Sequence, residues 1–172
     1  MSNIKIKKLT LGISSIIINE PKTYNSLSFK NLNHLIKAFD KLNSDNITKV
    51  IIIEGSGPGF SAGHNLKEVK GLKLKSKYQK LFNLCSKLMM KIVEGRKPVI
   101  AKVHGAAFAA GCQLVASCDL AYSTKDAKFA TPGVNIGLFC STPMVAVSRK
   151  IHRKRMMKML LTGEPIKADF AK

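Results

Sequence analysis

The feature that most constrains this chain is a pair of β-branched runs, each followed by a turn made of small residues. The first run is Val50-Ile51-Ile52-Ile53, and the second is Val99-Ile100-Ala101-Lys102-Val103. A continuous run like the first is the habit of a strand buried on both faces, as in parallel sheets covered by helices. Behind it comes Gly55-Ser56-Gly57-Pro58-Gly59-Phe60-Ser61-Ala62-Gly63-His64, and behind the second come the small residues 105–111. A strand that passes through such a turn into a helix aims backbone N–H groups at one point. Small side chains let a ligand approach them. Two converging donors suit a carbonyl oxygen on which charge develops. Close helix–strand packing also requires small residues, so either turn alone admits a purely structural reading.

The surrounding pattern is α/β. Ile4, Ile6, Leu9, Leu11 and Ile13 alternate with polar residues across a turn at Gly12, which predicts a hairpin whose second strand ends at Ile18, before Glu20-Pro21. Ser26 or Ser28 can cap a helix running to about Leu42, with Leu32, Leu35, Ile36 and Phe39 on one face. The strongest helical periodicity covers 73–94. Short strands are expected at 120–123 and 128–130, a short helix through Ala116, one or two helices over 144–161, and another helix just starting near the end. This order gives one α/β domain over 1–172, with no linker and no clean internal repeat.

Charge enters as the odd feature of the composition. Lys+Arg number 29 and Asp+Glu 10, a formal net charge of +19, which invites a polyanion partner. The basic residues are 25 Lys and only 4 Arg, beside 16 Ile and 10 Asn. That balance fits a compositional bias with lysine on solvated helix faces, because Arg is the better phosphate fork. Cys85, Cys112, Cys118 and Cys140 form no CxxC pair and sit among apolar or small residues. Buried thiols in a reduced compartment are expected, and neither a disulfide framework nor a metal site. No apolar run approaches the roughly 20 residues of a membrane span. The first residues show no leader, so the protein reads as cytoplasmic unless a longer form carries a presequence.

Taken together and in order, several segments resemble the enoyl-CoA hydratase/isomerase (crotonase) superfamily. They are Asn19-Glu20-Pro21-Lys22, Phe60-Ser61-Ala62-Gly63-His64-Asn65-Leu66, Pro98-Val99-Ile100-Ala101, Gly111-Cys112-Gln113-Leu114, Cys118-Asp119-Leu120-Ala121, Phe129-Ala130-Thr131-Pro132 with Gly137, and Leu161-Thr162-Gly163-Glu164-Pro165-Ile166. The resemblance covers essentially the whole chain. It implies a spiral of repeated β-β-α units, with 1–172 as a core lacking the family's C-terminal helical region. It also implies a homo-oligomer, trimer or hexamer, for the full-length form, and a mitochondrial location.

The resemblance further implies an acyl-CoA thioester as substrate or ligand, with no other cofactor, and a role in fatty-acid metabolism. Its carbonyl oxygen would lie between the backbone N–H groups of His64 and Ala110. Ala62, Asn65, Leu66 and Lys67 would line the CoA side, and Lys22 would face CoA phosphates unless it is a free surface lysine. The two glutamates that hydrate the double bond in this family fall on Gln113 and Gly133. Neither offers a titratable proton near neutral pH, so classical hydration is expected to be weak or absent. Three readings stay open: an acyl-CoA-binding protein with altered chemistry, possibly a pseudoenzyme; a decarboxylase or thioesterase-like enzyme that needs no general base; and a non-catalytic module binding RNA through Lys30, His34, Lys37 and Lys41. The last lacks an aromatic platform beside its lysines, so a solvated face accounts for them and no nucleic-acid partner is expected.

Overall fold

The computed structural model describes residues 3–171. The chain runs β1 (Ile4–Lys8), β2 (Ile13–Ile18), α1 (Phe29–Ser44), β3 (Val50–Gly55), α2 (Leu66–Gly71), α3 (Lys75–Val93), β4 (Val99–Val103), β5 (Ala106–Phe108), α4 (Ala110–Ser117), β6 (Leu120–Ser123), β7 (Lys128–Ala130), α5 (Ser141–Val147), α6 (Arg153–Thr162), β8 (Ile166–Lys167) and α7 (Ala168–Ala171). Single 3-10 turns cover Pro21–Thr23 and Pro132–Ile136.

Two sheets are built in alternation. The first has the order β1-β2-β3-β4-β6, antiparallel at β1–β2 and parallel elsewhere. The second has the order β5-β7-β8, and Ser61 bridges onto Ala107 beside it. β4 and β6 in the first sheet are each followed at once by a strand in the second, and then by helix. That is the expected β-β-α spiral. The inward row Ile16, Ile18, Ile51, Ile53, Val99, Ala101 and Val103 is buried with Leu35, Phe39, Leu81 and Leu88 from α1 and α3.

The hairpin turns earlier than the alternation suggested. Leu9 and Leu11 lie in the turn, and Leu11 has a φ of 57° and is 93% exposed, so neither continues a strand. The β3 run is not buried on both faces. Ile51 and Ile53 are fully buried, but Ile52 is only half-buried, because its register partners Ser15 and Ile100 lie on the sheet face opposite the packed row. The small residues 105–111 are not all turn, since β5 occupies 106–108 and pairs with β7. The expected 144–161 helical stretch divides into α5 and α6, and α2 was not anticipated.

The first long helix starts where serine capping placed it. Ser28 accepts a hydrogen bond from Asn31 N–H at 3.2 Å. At the other end the Lys97 ammonium donates to the carbonyls of Leu42 and Asp45, satisfying acceptors that the helix leaves open.

Asn25 joins this helix's entry to the glycine-rich turn. Its side-chain amide donates to the Ser56 and Gly59 carbonyls at 2.7 and 2.8 Å, and its side-chain oxygen accepts from Glu20 N–H at 2.9 Å. The residue is fully buried with a φ of 54°, a conformation Asn tolerates better than most residues. We expect Asn25→Ala to lower stability by about 3 kcal/mol, because it strands two buried carbonyls and leaves alanine in the left-handed region. Chemical denaturation checks this, and a loss under about 1 kcal/mol would show that the turn is held by other means.

Candidate oxyanion site

The two small-residue turns meet backbone to backbone. Gly63 has a φ of 87°, and a Cβ there would lie 2.9 Å from both the Ala110 nitrogen and the Phe108 carbonyl oxygen. A Cβ on Gly111 would lie 2.1 Å from the Ser61 carbonyl oxygen. Only glycine permits these approaches. Ser61, fully buried, secures the contact: its hydroxyl donates to Asn25 O at 2.9 Å and accepts from Gly63 N–H at 3.2 Å. Phe60 and Ser61 N–H groups donate to His104 O and Ala106 O, and Phe108 N–H donates back to Ser61 O.

Ala109 sits at φ 49°, ψ −119°, a region that favours glycine, at a cost of roughly 1–3 kcal/mol. Its N–H donates to Ala130 O at 2.9 Å, which ties β7 to the start of α4. The strained residue turns the chain so that Ala110 N–H opens the eight-residue helix α4. Among the described residues, neither Ala110 N–H nor His64 N–H donates to an internal acceptor. Two free N–H groups thus flank the point where Gly63 touches Ala110, with the positive end of a helix behind one of them.

The His64 side chain turns away from this point. Its Nδ1 donates to Leu27 O at 3.0 Å, and its ring packs edge-on to Phe82, with centroids 5.6 Å apart. Burial lowers its pKa, partly offset by the Leu27 carbonyl and by Glu68. The ring is therefore neutral at pH 7 and serves the loop as a hydrogen-bond partner.

The two positions on which the resemblance would put glutamates differ in character. Gln113 lies one turn into α4, 5% exposed, and its Oε1 has no hydrogen-bond partner. Gly133 lies in the 3-10 turn, where a Cβ would come within 2.6 Å of Leu138 O and 2.8 Å of the Cys140 sulfur. There is no space for any side chain there. Asp119 accepts from Val99 N–H at 2.8 Å as a structural brace, and Asp126 is exposed in a turn.

On the expected CoA side, Ala62 N–H donates to Tyr24 O at 2.9 Å, which sets the Pro21–Thr23 turn and its exposed Lys22 beside the loop. Leu66 and Lys67 are exposed in the first turn of α2. The Asn65 side chain accepts from Lys67 and Glu68 N–H at 3.1 and 3.2 Å. Its side-chain oxygen is thus committed to capping the helix.

Cys85, Cys112 and Cys118 are buried, and burial pushes their thiols up to about 12. Cys140 corrects the expectation of uniformly buried thiols, being only half-buried beside Gly133. Asn25, Ser61, Ala109 and Cys140 were not singled out from the sequence as site residues. An Asn followed by Ser before a helix was the one usable signal, since Asn tolerates left-handed backbone.

The chain matches the enoyl-CoA hydratase/isomerase family model over residues 9–172. It is 49% identical over 160 residues to human "Enoyl-CoA hydratase domain-containing protein 3, mitochondrial", a match covering 93% of this chain and 53% of that one. The crystal structure of human enoyl coenzyme A hydratase domain-containing protein 3 aligns with a TM-score of 0.94 at 47% identity, covering 98% of this chain and 66% of that one. An enoyl-CoA hydratase structure from Mycobacterium smegmatis gives 0.96 at 45%, covering 99% and 66%. The chain thus spans about half the length of the curated relatives it matches. A family match across nearly all of its residues, together with the shared fold, shows that this chain belongs to the enoyl-CoA hydratase/isomerase family.

Proposed function

We propose that this chain binds acyl-CoA thioesters, with the thioester carbonyl oxygen between His64 N–H and Ala110 N–H, and does not hydrate enoyl-CoA in the ordinary way. The observation that carries this is the pair of unpartnered N–H groups brought together where Gly63 meets Ala110. Such donors act on the charge that develops as the carbonyl becomes enolate-like, and losing one costs about 100- to 1,000-fold in comparable sites. The relatives named mitochondrial support that compartment and, with it, a role in fatty-acid metabolism.

Hydration needs one group to take a proton from water and another to deliver one to carbon. Gln113 supplies neither, and Gly133 has no side chain and no room for one. These facts favour a second reading, decarboxylation of a malonyl-type thioester. There the C–C bond to the carboxylate breaks, carbon dioxide leaves, and the electron pair moves onto the carbonyl oxygen held by the two N–H groups. The resulting enolate then takes a proton at carbon from water. No protein base is required.

Calorimetry with acetyl-, crotonyl- and malonyl-type CoA esters tests the binding. We expect thioesters to bind more tightly than free CoA, and Gly63→Ala to weaken thioester binding at least about tenfold while leaving free CoA nearly unchanged. Equal affinity for thioesters and free CoA would remove the oxyanion site from the account.

The closed second position yields a further expectation. Replacing both residues, Gln113→Glu with Gly133→Glu, leaves crotonyl-CoA hydration at background. The double variant also melts at lower temperature, because its Cβ displaces Leu138 and Cys140. Measurable hydration by the double variant would show that the position opens readily.

A further inference from the structure

We propose that β6 is a docking edge for a second copy of this chain, paired antiparallel across a two-fold axis. The first sheet ends on one side at β1 and on the other at β6. β1 carries Lys5, Lys7 and Lys8, all exposed, and lysine is a common guard against strand addition at an edge. β6 is Leu120-Ala121-Tyr122-Ser123, exposed at all four residues and without a charge. Leu120 is 53% exposed and Tyr122 65%. Thr124 N–H donates to Val103 O, so by the alternation of the ladder Ala121 and Ser123 turn their N–H and C=O groups to the open side.

The two ends of this edge carry opposite charges. Asp119 precedes β6 and Lys125 follows it, both exposed, and among the described residues neither makes an ion pair. Asp119 uses one carboxylate oxygen on Val99 N–H, which leaves the other. Asp126, next in the turn, is held by the Thr124 hydroxyl. In an antiparallel pair that sets Ala121 opposite the partner's Ser123, position 119 of each copy faces position 125 of the other. The acid of one edge then meets the base of the other twice, and the two Tyr122 rings stand across the axis from one another. A second copy satisfies both charges, whereas a polyanion would be repelled by Asp119.

A cleft of about 510 Å³ opens beside the same strand, with all four β6 residues in its wall. Its remaining wall is largely apolar and includes Cys112, Val115, Phe129, Ile151 and Met159. A strand added at β6 covers the mouth of this cleft, so the pairing gains apolar burial beyond its hydrogen bonds. None of His64, Ala110, Gln113 and Gly133 lines the cleft, so the proposal stands apart from the acyl-CoA reading. The net charge of +19 opposes association at long range, and salt screens that repulsion.

The test is analytical ultracentrifugation of the 172-residue chain without ligand, over a range of protein and salt concentrations. We expect a monomer–dimer equilibrium that tightens as salt rises. Lys125→Glu should weaken the dimer at least about fivefold although it lowers the net charge, because it turns two attractive contacts into repulsive ones. Lys5→Glu, the same change at the opposite edge, should leave the dimer as tight or tighter. The variant Leu120→Lys, Tyr122→Lys should weaken it at least about tenfold by charging the edge. Ile47→Lys, Val93→Lys adds the same charge at other exposed apolar positions and should stay within about threefold of the parent. Hydrogen exchange at the Ala121 and Ser123 amides should be slow in the dimer and fast on dilution. A monomer at every concentration overturns the proposal, and one that takes up an apolar dye in the cleft does so in favour of a small-molecule pocket. An assembly that survives both Lys125→Glu and the two β6 lysines overturns it as well, since the contact then lies elsewhere.

Discussion

The proposed site depends on one backbone-to-backbone contact, the approach of Gly63 to the start of α4. Two stretches that are far apart in sequence, the turn after β3 and the junction of β5 with α4, close to less than the width of a side chain at Gly63 and at Gly111. Neither turn is held by apolar packing alone. Asn25 and Ser61 carry the hydrogen bonds that fix the first turn, and Ala130 O fixes the second through Ala109 N–H. The sheet and its helices form the frame, and this polar stitching fixes the loops that carry the two N–H groups.

The proposed site joins backbone donors at this contact to side-chain positions of a different character. Backbone donors survive substitution, so alanine at 110 keeps its N–H. Side-chain chemistry does not survive it. At 113 stands a buried amide with an unsatisfied oxygen, and at 133 the backbone leaves no room for a side chain. The two positions reinforce one another. On the proposed reading, a lone carboxylate at 113 would still lack a partner at 133, where a Cβ meets Leu138 O.

Much of the fold was legible in the sequence because it rests on periodicity and punctuation. Ser28 and the apolar spacing after it placed α1, and the runs at 50–53 and 99–103 placed the central strands. Leu9 and Leu11 misled because apolar alternation continued into a turn that the left-handed backbone of Leu11 and Gly12 had already begun. Strand β5 was hidden because it is only three residues long and two of them, Ala106 and Ala107, match the small residues around it. The site was legible only as a set of positions. Gly63, His64 and Ala110 could be located by resemblance, but the closure at Gly133 depends on Leu138 and Cys140 folding back, and no local pattern announces that.

Polarisation of a bound thioester carbonyl by the two free N–H groups is tested most directly by NMR of an acyl-CoA labelled at its carbonyl carbon, free and bound. Hydrogen bonds from His64 and Ala110 draw electron density onto the oxygen, so a clear downfield shift of that carbon is predicted in the complex. A carbonyl signal that stays where it lies in water, with the ligand demonstrably bound, would contradict the account.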